Sequence, residues 1–328
     1  MKSTIIGPYP RVDSQLADCL RREQNNVYRG SGNTQLVKKL MQDLTREVVR
    51  EMVSTGIDLP HYGFIDVHDE LTWPLEYVNG VEFVGMKKVF HTNTHYRVAL
   101  VNGSIKSRKP IINDLYGVAS EIHPEVKLEF PGWYTMAKHS VLSGKSPYKN
   151  FVDLAEAYVK LFREELLKCG QNVLLVQFNE PSLIAYGREH NDLEMVPELY
   201  KRLLVDLNVP TAVWTYYGVY SPEVLDILFS LPVDIVGLDF VWDPGVERLL
   251  KERSPDKGIG FGFIDSGDRG FIVQEDSHTI IKKLKGLEGY VDLERSFLSP
   301  NASLEHLPRH LVRQKIALIG EITRRIRE

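Results

Sequence analysis

The sequence predicts an α/β fold, a TIM (β/α)8 barrel in which residues 1–328 form a single domain. Short apolar runs of strand type alternate with amphipathic helical patterns at intervals of roughly 25 to 40 residues, which is typical of parallel βαβ units. About eight such units fit a chain of this length, and a doubly wound sheet is the alternative. No GxGxxG motif follows a strand and opens a helix. The stretch GIGFGF resembles that motif weakly, but its phenylalanines lie inside a predicted strand.

The second half of the chain shows this alternation most clearly. Its predicted strands are continuous apolar runs, as expected for strands that are buried on both faces. They cover residues 172–178, 210–215, 233–240, 258–264 and 295–300. The predicted helices cover residues 193–207, 221–231, 245–253, 276–287 and 306–326. Ser221 followed by Pro222, and Asp276 or Ser277, are typical helix N-termini.

The first half fits the same pattern less regularly. Its predicted strands lie at residues 3–7, within 56–64 and at 126–130, and its predicted helices at 34–56 and 151–170. Residues 70–113 interrupt the alternation with two strand-like stretches, VEFVGMKKVF and HYRVALVNG. We expect these stretches to form a hairpin-like excursion over one end of the barrel.

Composition and charge limit the classes of partner. The net charge is −4, and basic residues cluster only at IKSRKP and in the last helix, whereas a nucleic-acid surface needs a denser basic face. Cys19 and Cys169 lack CxxC spacing, which favours a reducing compartment. No apolar run approaches the roughly 20 residues that span a bilayer, and the N-terminus has no signal-peptide core. We therefore expect a cytoplasmic protein with a small-molecule substrate and with neither a nucleic-acid nor a membrane partner.

The candidate site lies where the predicted strands end, because the chemistry of TIM barrels takes place at those ends. Each polar loop there could be a simple turn or helix cap. Their succession on one face, with glycines and aromatic residues, favours a pocket for a small ligand with a ring. The expected substrate-binding residues are Arg11, Asp69, Trp133, Tyr134, Asn179, Glu180, Tyr216, Tyr217, Asp239, Asp265 and Asn301.

Several of these residues have an ordinary structural alternative. Trp133 and Tyr134 could stack on a ligand ring or simply pack in the barrel rim. Arg11 and Arg97 could bind a carboxylate or phosphate, or form surface ion pairs.

A histidine-rich stretch, HYGFIDVHDE, is followed by His91 and His95. The alternation of side chains along an extended segment favours a polar loop on the barrel rim. A metal site, or an acid–base role for His68 or His95, is the alternative.

Seven stretches, in this order, resemble the cobalamin-independent methionine synthase family: IIGPYPRV, FPGWYTMA, VLLVQFNEPSL, VWTYYG, VDIVGLDFV, GIGFGFIDSGDRG and FLSPNASLEHLP. The resemblance covers essentially the whole chain. Full-length members of that family contain two similar TIM barrels. The C-terminal barrel carries zinc and binds homocysteine, and the N-terminal barrel lacks the metal and helps to form the folate site. TYYG and PNASLEHLP look more like the N-terminal barrel.

The resemblance also places the zinc ligands of that family. The corresponding positions here are Tyr216, Gly218, Asp239 and Ala302. Zinc sites need three or four deprotonated ligands, so we expect no zinc there. Two further family carboxylates are replaced, one at Phe64 and one at Asn179, which removes charges that would pair with an amino-acid ammonium group.

The resemblance implies a methyltransferase component of methionine biosynthesis, in which a folate or corrinoid donor gives its methyl group to homocysteine. This chain would supply the methyl-donor side beside a separate zinc-bearing barrel, with no tightly bound cofactor, and no catalytic residue is assigned. Two alternatives stay open. One is a methyltransferase that acts alone, with a corrinoid donor or a metal in the histidine-rich loop. The other is a non-catalytic binding or regulatory barrel that keeps only the scaffold.

Overall fold

A computed structural model gives a parallel barrel with helices on its outside, and it describes residues 1–90, 92, 94–112, 114–168, 173–185, 192–267 and 275–328. The strands are β1 (Lys2–Ser3), β2 (Val78–Lys88), β3 (His95–Ser107), β4 (Leu128–Pro131), β5 (Ser140–Leu142), β6 (Val176–Asn179), β7 (Thr211–Trp214), β8 (Ile235–Asp239), β9 (Gly258–Ile264) and β10 (Phe297–Pro300). The helices are α1 (Gln15–Tyr28), α2 (Thr34–Ser54), α3 (Asp114–Ile122), α4 (Trp133–His139), α5 (Phe151–Leu166), α6 (Ser182–Ala185), α7 (Val196–Leu204), α8 (Pro222–Ser230), α9 (Val246–Arg253), α10 (Ser277–Lys285) and α11 (Arg309–Arg327).

Seven strands form one parallel sheet in the order β1–β10–β9–β8–β7–β6–β4. The eighth barrel position lies between β1 and β4. On the β1 side, Leu59 forms a parallel β-bridge with Thr4. On the β4 side, the Lys127 N–H donates to the Pro60 carbonyl over 3.0 Å. The ring is therefore closed, so the barrel prediction is confirmed and the doubly wound alternative is wrong. The strand predicted within residues 56–64 is reduced to this bridge, because Pro60 has no N–H with which to continue a ladder.

The predicted helices are present, with shifts of a few residues at their ends. Ser221 and Asp276 cap α8 and α10 as the sequence indicates, since their side chains accept hydrogen bonds from first-turn N–H groups. The helix predicted at 193–207 begins as a 3-10 turn, Leu193–Met195, and continues as α7. The helix end at Gly170 and the strand start at residue 172 lie outside the described residues. None of the helices in the described ranges has the length and apolar character needed to cross a bilayer.

The excursion predicted at residues 70–113 is a β-hairpin. Strands β2 and β3 pair antiparallel, and β5 adds to β3 in parallel. A 3-10 turn, Trp73–Tyr77, leads into the hairpin, and its Trp73 ring stacks on Phe130 of β4 with centroids 5.6 Å apart. This contact fixes the base of the hairpin on the barrel wall.

Trp214 fills the barrel interior at the level where two neighbouring strands carry glycine. Its indole is fully buried, and a β-carbon added at Gly237 of β8 or Gly260 of β9 would overlap the ring. The ammonium of Lys127 lies 5.7 Å from the centre of the same ring. The two glycines therefore provide the space for one large aromatic side chain in the core.

Replacing Gly260 with alanine should destabilise the protein by about 1–3 kcal/mol, because the new methyl group collides with Trp214 in a packed core. Urea denaturation measures the change. Gly117→Ala is the matched control: Gly117 lies exposed in α3 with open space around it, so that change should be neutral or stabilising by about 0.5–1 kcal/mol. Equal losses in both variants would contradict this packing.

Candidate functional site

A buried polar network lies inside the barrel, just below the strand ends. Lys127 and Glu129 form an ion pair with Nζ and Oε2 3.0 Å apart. Lys127 Nζ also donates to the Ile5 carbonyl and to Gln177 Oε1, each over 2.5 Å. Asn179 Nδ2 donates to Glu129 Oε1 over 2.7 Å, and Gln177 Nε2 donates to Asn179 Oδ1 over 2.8 Å. The amide of Asn179, a predicted substrate contact, is thus oriented by the network beneath it.

The charges of this pair depend on each other. Burial by itself would raise the pKa of Glu129, but the Lys127 charge and hydrogen bonds from Gly7 and Asn179 hold it below its ordinary value. Burial also lowers the pKa of Lys127, while Glu129 opposes that shift. The carboxylate therefore stays ionised because a cation is fixed beside it.

Glu180, a predicted substrate contact, is surrounded by hydrogen-bond donors of the protein itself. The N–H groups of Tyr134 and Thr135 donate to its carboxylate over 3.0 and 2.8 Å, and the hydroxyls of Thr135 and Tyr200 donate over 2.6 and 2.8 Å. A β-carbon at Gly132 would overlap this carboxylate. Burial raises the pKa of Glu180 to about 7, against these hydrogen bonds, which favour the charged form. The residue holds the chain where β4 turns into α4.

Asp239 ties the ends of β7, β8 and β10 together in a similar way. Its carboxylate accepts hydrogen bonds from the N–H groups of Tyr217, Val241 and Trp242, at 3.2, 3.0 and 2.8 Å, and from Asn301 Nδ2 at 3.1 Å. Burial raises the pKa of Asp239 to about 6 despite these donors. Asn301 also accepts from the Ser266 N–H over 2.8 Å, so both predicted residues brace the loops.

Trp133 and Tyr134 pack in the rim, the structural alternative left open by the sequence. Both are fully buried, and the Trp133 ring lies 5.7 Å from that of Tyr200. The Tyr134 hydroxyl donates to Asp192 over 2.9 Å, and the Lys138 ammonium lies 5.3 Å from its ring. Their faces are covered by protein rather than open to a ligand.

Two aromatic residues of the hairpin close the mouth of the barrel. Phe90 and Tyr96 are almost fully buried, with ring centroids 6.0 Å apart, and Phe90 lies 5.4 Å from the ring of Tyr217. The cavity left between these rings and the strand ends has a volume of about 10 Å³, room for about one water molecule. Of the predicted residues, Asn179 and Tyr216 line it.

The remaining predicted residues lie around the mouth. Arg11 donates to Glu305 over 2.8 Å and to the Val67 carbonyl, and it lines a separate cavity of about 460 Å³ between α1, α2 and residues 65–68. Asp69 accepts from Arg97 Nε over 2.6 Å. Asp265 accepts from the Gly267 N–H over 3.1 Å. The structure therefore brings some of the predicted residues to one face without joining them in one open pocket.

The histidine-rich stretch does not gather around one point. His61 is fully buried, its Nδ1 accepts from the Gly63 N–H over 2.9 Å, and burial lowers its pKa to about 4. His68 Nδ1 lies 2.9 Å from Glu76 Oε1, and that contact raises the pKa of His68. Among the described residues, no group of three or more histidine, cysteine or acidic side chains could hold a metal ion. His91 lies outside the described residues.

The four family zinc positions do not fit the metal. Tyr216 and Ala302 offer neither thiolate nor imidazole, and a β-carbon at Gly218 would come within 2.7 Å of the Ile184 backbone. The Asp239 carboxylate already accepts four hydrogen bonds. One carboxylate so engaged cannot replace three or four deprotonated ligands.

The sequence interpretation missed two features of this face. One is the Lys127–Glu129 network, which the stretch VKLEF signals: charged residues two apart in an apolar strand face the same side, here the barrel interior. The other is the closure by Phe90 and Tyr96. The sequence predicts a hairpin over one end of the barrel, but its local pattern does not indicate which side chains of the hairpin reach the strand ends.

Replacing Glu180 with glutamine should change stability in a pH-dependent way. The folded protein holds the Glu180 proton more tightly than the unfolded chain, so this residue contributes less stability as pH rises from 4.5, its ordinary pKa, to about 7. The stability of Glu180→Gln relative to the wild type should therefore increase by about 2 kcal/mol over that range. Urea denaturation at several pH values tests this. A stability difference between Glu180→Gln and the wild type that stays constant over this pH range would contradict the assignment.

Comparisons with known proteins agree with this architecture. The profile of the family described as cobalamin-independent synthase, N-terminal domain, matches residues 78–291. A methionine synthase of Sulfurisphaera tokodaii is 25% identical over 334 residues, covering 100% of this chain and 93% of the relative. A methionine synthase of Saccharolobus solfataricus is also 25% identical, covering 100% and 95%.

Two solved structures have the same fold. A B12-independent methionine synthase of Shewanella sp. W3-18-1, in complex with selenomethionine, has a TM-score of 0.74 at 20% identity and covers 90% of this chain and 91% of its own. A putative vitamin-B12 independent methionine synthase of Listeria monocytogenes has a TM-score of 0.73 at 16% identity and covers 99% of each chain. From the matched profile, which spans well over half of the sequence, the chain belongs to the cobalamin-independent methionine synthase family, a family of methionine biosynthesis, and matches its N-terminal domain.

Proposed function

We propose that this chain takes part in methyl transfer to homocysteine as the methyl-donor component, and that a separate zinc-bearing barrel binds and activates the thiol. The observation that carries the proposal is the combination of family membership with four ligand positions that do not fit zinc. A thiol has an ordinary pKa near 8.5 and is mostly protonated at neutral pH. The thiol side of the reaction therefore needs a group that the strand ends of this chain do not provide.

The donor would be a methyl-folate or a methyl-corrinoid. Either is far larger than the cavity of about 10 Å³ at the barrel mouth, so binding at the strand ends requires Phe90 and Tyr96 to move away. The surfaces they would uncover include the amide of Asn179, the ring of Tyr216 and the carboxylate of Glu70, which accepts a hydrogen bond from Tyr96. An amide and an aromatic ring suit a planar, hydrogen-bonding ligand.

A non-catalytic binding or regulatory barrel is the second candidate. It is favoured by the small cavity and by the internal roles of Glu180 and Asp239, whose carboxylates accept hydrogen bonds from the protein itself. In this case the chain would associate with a zinc-bearing barrel and bind neither donor.

A reconstituted assay of homocysteine methylation distinguishes the methyl-donor component from the regulatory barrel. We expect homocysteine methylation only when this chain, a zinc-bearing methionine synthase barrel and either methyltetrahydrofolate or methylcobalamin are all present, and calorimetry should detect the productive donor on this chain. Methionine formation by this chain alone would contradict the division of labour. A stable complex of the two barrels without donor binding would support the regulatory candidate instead.

Metal analysis of the purified chain provides a further test. We expect far less than one zinc per chain, and Asp239→Ala should leave the zinc content unchanged. A zinc-bearing barrel purified in the same way serves as the positive control. One zinc per chain that is lost on Asp239→Ala would show that the strand ends do hold the metal and would contradict the proposal.

A further inference from the structure

The outer half of the β2–β3 hairpin lies across the barrel mouth. We propose that the described residues at the outer end of the hairpin, 86–90, 92 and 94–97, called the flap here, form a gate that swings outward before any ligand reaches the strand ends. The proposal rests on the cavity beneath the flap, on the contacts that hold the flap down and on a break in the hairpin behind it. It does not depend on which ligand binds.

The hairpin has a hinge where its register changes. On the barrel side, residues 81–83 pair with residues 99–101. The other edge of residues 99–101 pairs with β5. The register then shifts between Phe83 and Met86, and residues 86–88 pair with 95–97. Gly85 lies in this bulge, and nothing would contact a β-carbon placed on it. A bulge with an uncrowded glycine is a place where backbone angles can change without collision.

Polar side chains of three flap residues, Thr94, Tyr96 and Arg97, hold the flap closed. The Tyr96 hydroxyl donates to Glu70 Oε1 over 2.8 Å. Arg97 donates from Nε to Asp69 Oδ2 and from its terminal nitrogen to Glu76 Oε1, each over 2.6 Å. Thr94 Oγ1 lies 2.8 Å from His306 Nε2, which connects the flap to the loop after β10. Arg97 and Glu76 are partly exposed, so their charges meet water as soon as the contact breaks.

Aromatic contacts complete the closure. The Phe90 ring lies 5.5 Å from the ring of His139, which ends α4, and 5.4 Å from that of Tyr217, which follows β7. Opening exposes Phe90 and Tyr96 but leaves the pairing with β5 and the barrel core intact. It is therefore a local event of the kind that precedes binding at covered sites, and it costs less than global unfolding.

Thiol labelling beneath the flap tests the gate without any ligand. The reporter is Leu71→Cys, since Leu71 is buried and lines the cavity, in a Cys19→Ser, Cys169→Ser background with N-ethylmaleimide as the probe. Arg97→Ala should raise the labelling rate about tenfold, because it removes two charged hydrogen bonds of the closed state. Tyr96→Phe keeps the ring, loses one hydrogen bond and should give a smaller increase.

Arg202→Ala is the matched control, because Arg202 also pairs with two carboxylates, Glu156 and Glu198, but lies on the barrel exterior. It should change the rate less than twofold. Labelling through the flap should depend only weakly on urea, since little surface is exposed. Equal rates in Arg97→Ala and Arg202→Ala, or a urea dependence as steep as that of global unfolding, would overturn the proposal. Thr135→Cys, at the opposite wall of the cavity, is the second reporter if Leu71→Cys does not fold.

Discussion

The buried ion pair of Lys127 and Glu129 is the constraint around which the rest of the barrel mouth is arranged. Two charges removed from water are tolerated only when each is paired and hydrogen-bonded. The Ile5 carbonyl, the Gly7 N–H, Gln177 and Asn179 meet that requirement here. Segments that are far apart in the chain must therefore keep one register, which fixes β1, β4 and β6 relative to one another. Asn179 faces the mouth cavity as a consequence of this network.

Above that network, the acidic residues at the strand ends serve mainly to hold loops. Glu180 fixes the turn from β4 into α4, and Asp239 with Asn301 joins the ends of β7, β8 and β10. In a zinc-bearing relative, a carboxylate at the Asp239 position would have to face a metal ion. Here it accepts hydrogen bonds from backbone N–H groups and from Asn301, so it holds the neighbouring loops together.

The sequence predicted the barrel because the spacing of strands and helices is a property of each local segment and its neighbours. The caps at Ser221 and Asp276 were predictable for the same reason. The role of Glu180 was not predictable. A glutamate after a strand looks the same whether it faces a substrate or four donors, and those donors come from residues 134, 135 and 200. Phe90 and Tyr96 were missed because their burial depends on the hairpin lying across the mouth, which is a tertiary property.

The barrel strand predicted within residues 56–64 is interrupted at Pro60, so the ring has a weakly joined place between β1 and β4, called the seam here. Six neighbouring pairs of strands share ladders, whereas the ring closes through a single bridge and a few backbone hydrogen bonds around Leu59. Local unfolding begins where few backbone hydrogen bonds and few buried contacts join neighbouring segments. The chain leaves this seam directly into the loop that carries Asp69 and Glu70, the residues that bind the flap. The residues that hold the flap are therefore anchored next to the part of the ring that the fewest backbone hydrogen bonds join.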